Sequence, residues 1–199
     1  DRLNKEVYNR FITSEQVLKC AQIVNKYKDK LTVMYDIISC NPYETNEDII
    51  ATIRLLQKIP KPYFLSVNNL IFFEGTPLYR KALEDGLLKT YNDEANNLNY
   101  WDRWKHIKLK KKNPYLNLVL NMMRGPCTER RYGMLPASFV NYLTKQNVLE
   151  YHIKNERPTY IVGEVVDVMD DMREKIVKPI YRSMPLEFKA WYDKVRYKA

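Results

Sequence analysis

The segment LTVMYDIISCNPYETNEDIIATIRLL, Leu31 to Leu56, constrains this chain more than any other stretch. Its first nine residues are rich in β-branched and aromatic side chains and nearly continuous in apolarity, which predicts a strand over Leu31–Ser39, buried on both faces of a parallel sheet. Side chains alternate along a strand, so Leu31, Val33, Tyr35 and Ile37 share one face and Thr32, Met34, Asp36, Ile38 and Cys40 the other. Asp36 is then a misfit, because a buried carboxylate needs a partner or a ligand to offset its desolvation. The loop after the strand leads to Thr45 or Asn46 as a helix N-cap, with Glu47 and Asp48 in the first turn, where the helix dipole favours them. Ile49, Ile50, Ile53, Leu56 and Ile59 then recur at helical spacing. The unit is strand, loop, amphipathic helix.

The same pattern extends to both sides. Thr13 to Gln16 reads as a capping box opening a helix that ends near Lys30. Pro60 and Pro62 break the chain before a second strand, Tyr63 to Phe73, on which Ser66 and Asn68 share a face with Leu70 and Phe72. Thr76 caps a further helix with Pro77 at its first position, and Gly86 ends it. Strands alternating with helices imply right-handed crossovers and a parallel sheet. Two strands are too few to protect their own edges, and the opening DRLNKEVYNR reads as the middle of a structural unit, so earlier strands are expected outside this sequence.

Beyond Lys89 the periodicity is helical, with ten of the tyrosines and all three tryptophans. Helices are expected over Asn113–Arg124, Pro136–Lys154, Thr159–Tyr181 and Pro185–Tyr197, separated by Gly125, Pro126, Gly133, Pro158 and Pro185. The division is therefore residues 1–90, an α/β region, and residues 91–199, a mostly α-helical carboxyl-terminal region.

Composition narrows the function classes. No apolar run approaches the length of a membrane span and no signal peptide opens the chain, so a soluble, cytoplasmic protein without a membrane partner is expected. Cys20, Cys40 and Cys127 are odd in number and widely spaced, which suits neither a disulfide framework nor a zinc site. His106 and His152 are too far apart in sequence, and without obvious carboxylate partners, to argue for a metal pair, and no metal ligand is assigned. The net charge of +9 and the run Arg103–Lys112 invite a nucleic-acid reading, yet no nucleic-acid fold signature accompanies them, and a solvated lysine face accounts for the run better.

Several pieces, in order, resemble a family: YNR at Tyr8–Arg10, YDIISCNPYET at Tyr35–Thr45, IPKPY at Ile59–Tyr63 and LIFFEGTPLYRKALEDGLL at Leu70–Leu88. Together they are similar to the second half of a radical S-adenosylmethionine (radical SAM) barrel, and NPYET is similar to the form found in the branch with an amino-terminal cobalamin-binding domain. The wider family pattern is G-x-P-x-ET, with Cys40 standing here at the glycine. The resemblance implies the second half of a partial (β/α) TIM-like barrel over residues 1–90, followed by the helical region, and chemistry of radical methylation, cyclisation or rearrangement on a small-molecule or peptide substrate. It implies S-adenosylmethionine as cofactor, with Arg10 facing its carboxylate, Asp36 near its ribose and amino end, and Ile38 against the adenine. Leu70 and Phe72 give further apolar or backbone contact, and Asn41 and Glu44 belong to the cofactor-binding loop, where the Glu44 carboxylate would hold the strand-to-helix turn by accepting backbone N–H bonds. A [4Fe–4S] cluster needs three cysteines of a CxxxCxxC motif, which this chain lacks. Cluster and cobalamin would be held by an amino-terminal half of the same protein, the expected partner. Plainer roles stand beside these: Asp36 paired with Arg10 or Lys30, Arg10 as a surface arginine, and Ile38, Leu70 and Phe72 as core. A non-catalytic basic helical module contacting nucleic acid or a partner protein is the competing function.

Overall fold

The computed structural model describes residues 2–87 and 113–191. Its architecture is α/β, with five strands in one open mixed sheet of order β1-β2-β3-β4-β5. Helices α1 (Arg2–Glu6) and α2 (Ser14–Asn25) lead into β1 (Met34–Ser39), α3 (Asn46–Lys58), β2 (Tyr63–Asn69) and α4 (Pro77–Glu84). Both capping boxes close reciprocally: Gln16 N donates to Thr13 Oγ1 at 3.3 Å while Thr13 N donates to Gln16 Oε1 at 2.9 Å, and Thr45 and Asp48 do the same for α3. Helix α2 stops at Asn25 rather than near Lys30, because the polar run that follows has no apolar stripe to hold it on the core; it continues as tight turns, Lys26, Tyr27 and Lys28 each donating three residues back.

Strands β1 and β2 are parallel and paired Met34↔Phe64, Asp36↔Ser66 and Ile38↔Asn68. One face of the pair, with Tyr35, Ile37, Tyr63, Leu65 and Val67, packs in the main core with Ile49, Ile53 and Leu56 of α3. The opposite face is open: Met34 is 58% exposed, Ile38 37%, and Asp36 and Asn68 are exposed too. The expectation of a strand buried on both faces is therefore corrected. Apolar continuity does not separate a two-sided strand from a one-sided strand that carries apolar residues on its open face, and no described element covers this one. Asp36 bears no burial penalty, and the misfit that singled it out is absent.

The carboxyl-terminal region is more than helices. After α5 (Pro114–Met122), the breakers Gly125 and Pro126 lie in β3 (Gly125–Cys127), which runs antiparallel to β2 with Tyr63↔Cys127 and Leu65↔Gly125. Two bridges follow, β4 (Arg131–Tyr132) and β5 (Leu135–Pro136). The sheet is thus mixed rather than purely parallel. Gly133 makes the return possible, at φ +54 with a Cβ position only 2.2 Å from the Arg124 carbonyl oxygen, a place no other residue fits. Helix α5 is buried all round from Tyr115 to Leu120, filling the space between α3 and the later helices. The span expected as one helix from Pro136 to Lys154 is two, α6 (Ala137–Leu143) and α7 (Gln146–Lys154), parted where Thr144 Oγ1 donates back to Val140 O at 3.2 Å. Helix α8 (Arg157–Met172), a π-helical turn (Arg173–Val177) and α9 (Lys178–Ser183) complete the long run, and 186–191 is helical.

Candidate functional site at the carboxyl end of the first strand

Polar side chains concentrate where β1 turns into α3. Ser39, fully buried, donates to Asn68 O at 3.3 Å and Asn69 Oδ1 at 3.1 Å, clamping the ends of the two parallel strands. Cys40 follows with φ +55, a left-handed conformation that an L residue with a full side chain rarely takes. Its amide donates to Asn117 Oδ1 at 2.9 Å, and Asn117 Nδ2 donates to Asn113 O at 3.0 Å. Asn41, also buried, receives the Tyr43 amide on Oδ1 at 2.9 Å, an Asx turn, and donates through Nδ2 to the Tyr8 hydroxyl at 2.9 Å. The loop is stapled from outside by α1, whose Arg2 bonds Asp48 and the Tyr43 carbonyl, and by Tyr43, whose hydroxyl donates to Asp85 at 2.8 Å.

Glu44 lies inside this cage. It is 6% exposed, its amide donates to Asn41 O at 3.1 Å, and its carbonyl receives Asn113 Nδ2 at 3.3 Å. Among the described residues its carboxyl Oε2 has no hydrogen-bond partner. Burial pushes the Glu44 carboxyl up to about 7; the nearby Asn41 backbone amide pulls the other way, and the Asp48 charge adds to the rise. The Tyr8 phenol is pushed up to about 12, by burial first and by Glu44 second. The expected use of the Glu44 carboxylate, holding the turn by accepting backbone bonds, is thus only partly met. Near neutral pH the group is poised between acid and carboxylate.

The expected site residues separate into two places. Asn41 and Glu44 sit in the cage, and Leu70 and Phe72, both buried, form with Ala82 a second small core against which Tyr8 and Tyr43 pack. Asp36 and Ile38 stand on the open sheet face. There Asn68 Nδ2 donates to Ser66 Oγ at 3.1 Å and reaches Asp36 Oδ1 at 3.4 Å, so that one amide bridges two strands. Arg10 is exposed, its guanidinium 5.9 Å from the Tyr8 ring centre, and among the described residues neither it nor Lys30 is ion-paired with Asp36. The structure adds Tyr8, Asn113 and Asn117 to the site. An asparagine inside the otherwise apolar run PYLNLVL was the readable sign of the last.

A separate cleft of about 210 Å³ opens beside the start of α5, lined by Asn46, Asn113, Tyr115, Leu149, His152 and Glu156 among others. His152 stacks on Tyr115 with ring centres 4.1 Å apart, and burial holds its pKa below the ordinary value.

Cys40 and Cys127 are buried and Cys20 is exposed on α2. Among the described residues no three His, Cys, Asp or Glu side chains gather as a metal site, and no helix is long and apolar enough to cross a membrane. The basic run Arg103–Lys112, with His106, lies outside the described residues, as does the part of Pro185–Tyr197 beyond residue 191. No family model, curated protein or solved structure matches the chain.

Proposed function

We propose that this chain is the carboxyl-terminal portion of a radical SAM enzyme of the cobalamin-dependent branch, contributing the second half of a partial TIM-like barrel. The observation that carries the reading is the backbone of Cys40. It holds φ +55 at the position where the family pattern carries glycine, in a strand-to-helix loop whose Asx turn and Thr45 cap use the residues of NPYET. The parallel pair supports it as well. Helices cover one face, and the open face carries Asp36, Ser66 and Asn68 beside the apolar Ile38, as the inner wall of a barrel would.

In this reading S-adenosylmethionine supplies the radical chemistry and the residues here bind and orient it. The Asp36 carboxylate accepts from ribose hydroxyls or the ammonium group, held in place by the Asn68 amide. Ile38 offers an apolar surface to the adenine, and the Arg10 fork takes the carboxylate. Leu70 and Phe72 support the wall from the small core. Glu44, Asn41 and Tyr8 fix the loop. The three cysteines do not fit a cluster cradle, since two are buried apart from a third on the surface of α2. In this reading cluster and cobalamin belong to polypeptide outside these residues.

The test uses the complete reading frame that encodes these residues. It should contain CxxxCxxC, and the anaerobically reconstituted protein should release 5′-deoxyadenosine from S-adenosylmethionine under reduction. Asp36→Asn should weaken cofactor binding by about 1.5–3 kcal/mol, about tenfold to more than a hundredfold, by calorimetry. Because Asp36 is exposed, its melting curve should barely move. A frame without the motif, or unchanged affinity in the variant, overturns the assignment and leaves the basic binding module as the better reading.

A further inference from the structure

The long helical run at the carboxyl end has two faces. Thr159, Gly163 and Val166 of α8 are buried, on the side that packs against α5. Away from them runs a second apolar stripe: Ile161, Val165, Val168, Met172, Ile176 and Ile180, flanked by Val162, Met169 and Val177. These nine side chains are between 41% and 59% exposed. The stripe steps by four, three, four, four and four residues. Two consecutive four-residue steps beyond Met172 would carry it round a regular α-helix, and the π-helical turn Arg173–Val177 takes up the drift, since its wider turn accommodates an added residue. The helix is distorted where the distortion keeps Ile176 and Ile180 in line with Val165 and Met172. A solvated helix has no use for that alignment.

Charge along the same run is divided. Glu164, Asp167, Asp170 and Asp171 make its first half acidic, and Arg173, Lys175, Lys178 and Arg182 make its second half basic, with Glu174 the exception. Laid parallel on a copy of itself, like charges face each other. Laid antiparallel, the acidic half faces the basic half, and only the central Asp171 meets its own kind.

We propose that this stripe is the interface of an antiparallel homodimer, with a two-fold axis near residues 170 and 171. That register sets Ile161 against Ile180, Val165 against Ile176, and Val168 and Met169 against Met172, so every member of the stripe meets another across the seam. It brings Glu164 near Lys178 and Asp167 near Lys175 of the second copy, a lysine that also bonds Asp171 of its own chain at 2.7 Å. Such a contact is isologous and closes on itself, which limits assembly to two chains. The nine half-exposed side chains offer roughly 700 Å² per copy, close to the ~800 Å² each partner gives a stable interface.

The test is sedimentation velocity on the full chain at micromolar concentration, with crosslinking in a Cys20→Ser background. A dimer is expected. Val165→Glu with Ile176→Glu should weaken it roughly a hundredfold by placing carboxylates in an apolar seam while leaving the circular dichroism spectrum unchanged, both positions being exposed in the single chain. A mixture of Val165→Cys and Ile176→Cys chains should crosslink, whereas Val165→Cys alone should not, its two copies lying about 16 Å apart along the axis. Lys178→Glu should weaken the dimer, and adding Glu164→Lys should restore it. A monomer at these concentrations, a monomer that binds phosphatidylcholine–phosphatidylserine vesicles through this stripe, or crosslinking of Val165→Cys with itself overturns the proposal.

Discussion

Glu44→Gln tests the cage at the end of β1 most directly. The Glu44 carboxyl, ordinarily at 4.5, is pushed up to about 7 by burial, with Oε2 unpartnered. A raised carboxyl means the folded chain holds a proton that the unfolded chain has released. The stability contributed by protonated Glu44 is complete below about 4.5 and is lost as pH rises through about 7. The span between those values corresponds to about 3 kcal/mol. Glutamine keeps the shape of the protonated acid and does not ionise, so wild type and variant should have similar stability near pH 4.5, and the variant should be the more stable by up to about 3 kcal/mol at pH 8.5. Urea denaturation of both proteins across that range measures the difference, in which His152 and the surface carboxylates cancel. A pH-independent difference would show that Glu44 does not titrate between 4.5 and 7. A wild type that gains on the variant as pH rises would show a carboxylate stabilised by a partner, and the cage would have been misread.

Two further outcomes are expected. Asn117→Ala removes the acceptor of the Cys40 amide and the donor to Asn113 O, both inside the protein, and should destabilise the fold by about 1–3 kcal/mol in denaturant titrations; a change below about 0.5 kcal/mol would mean that water replaces the side chain. The 199-residue chain reconstituted with iron and sulfide should show no stoichiometric cluster in its visible spectrum, since its cysteines are dispersed; a cluster on this chain would refute the ligand count.

What the amino-acid sequence determined by itself is local. Thr13, Thr45 and Thr76 announce their helices because a capping hydroxyl acts within three residues, and Gly86 ends α4 at φ +70 because left-handed backbone is a property of one residue. The βα unit at Leu31–Leu56 is legible from periodicity for the same reason. Tertiary structure decided what distant segments do to one another. Gly125 and Pro126 read as breakers, yet they form β3 because the edge of β2 offers hydrogen bonds to a segment some sixty residues later. The open face beside Asp36 and the unpartnered Glu44 oxygen depend on which elements cover the sheet and the loop, and neighbours in sequence carry no record of that. Asn117 reaches Cys40 across seventy-seven positions. Burial, and with it the raised Glu44 carboxyl and the lowered His152 imidazole, is a property of the packed chain alone.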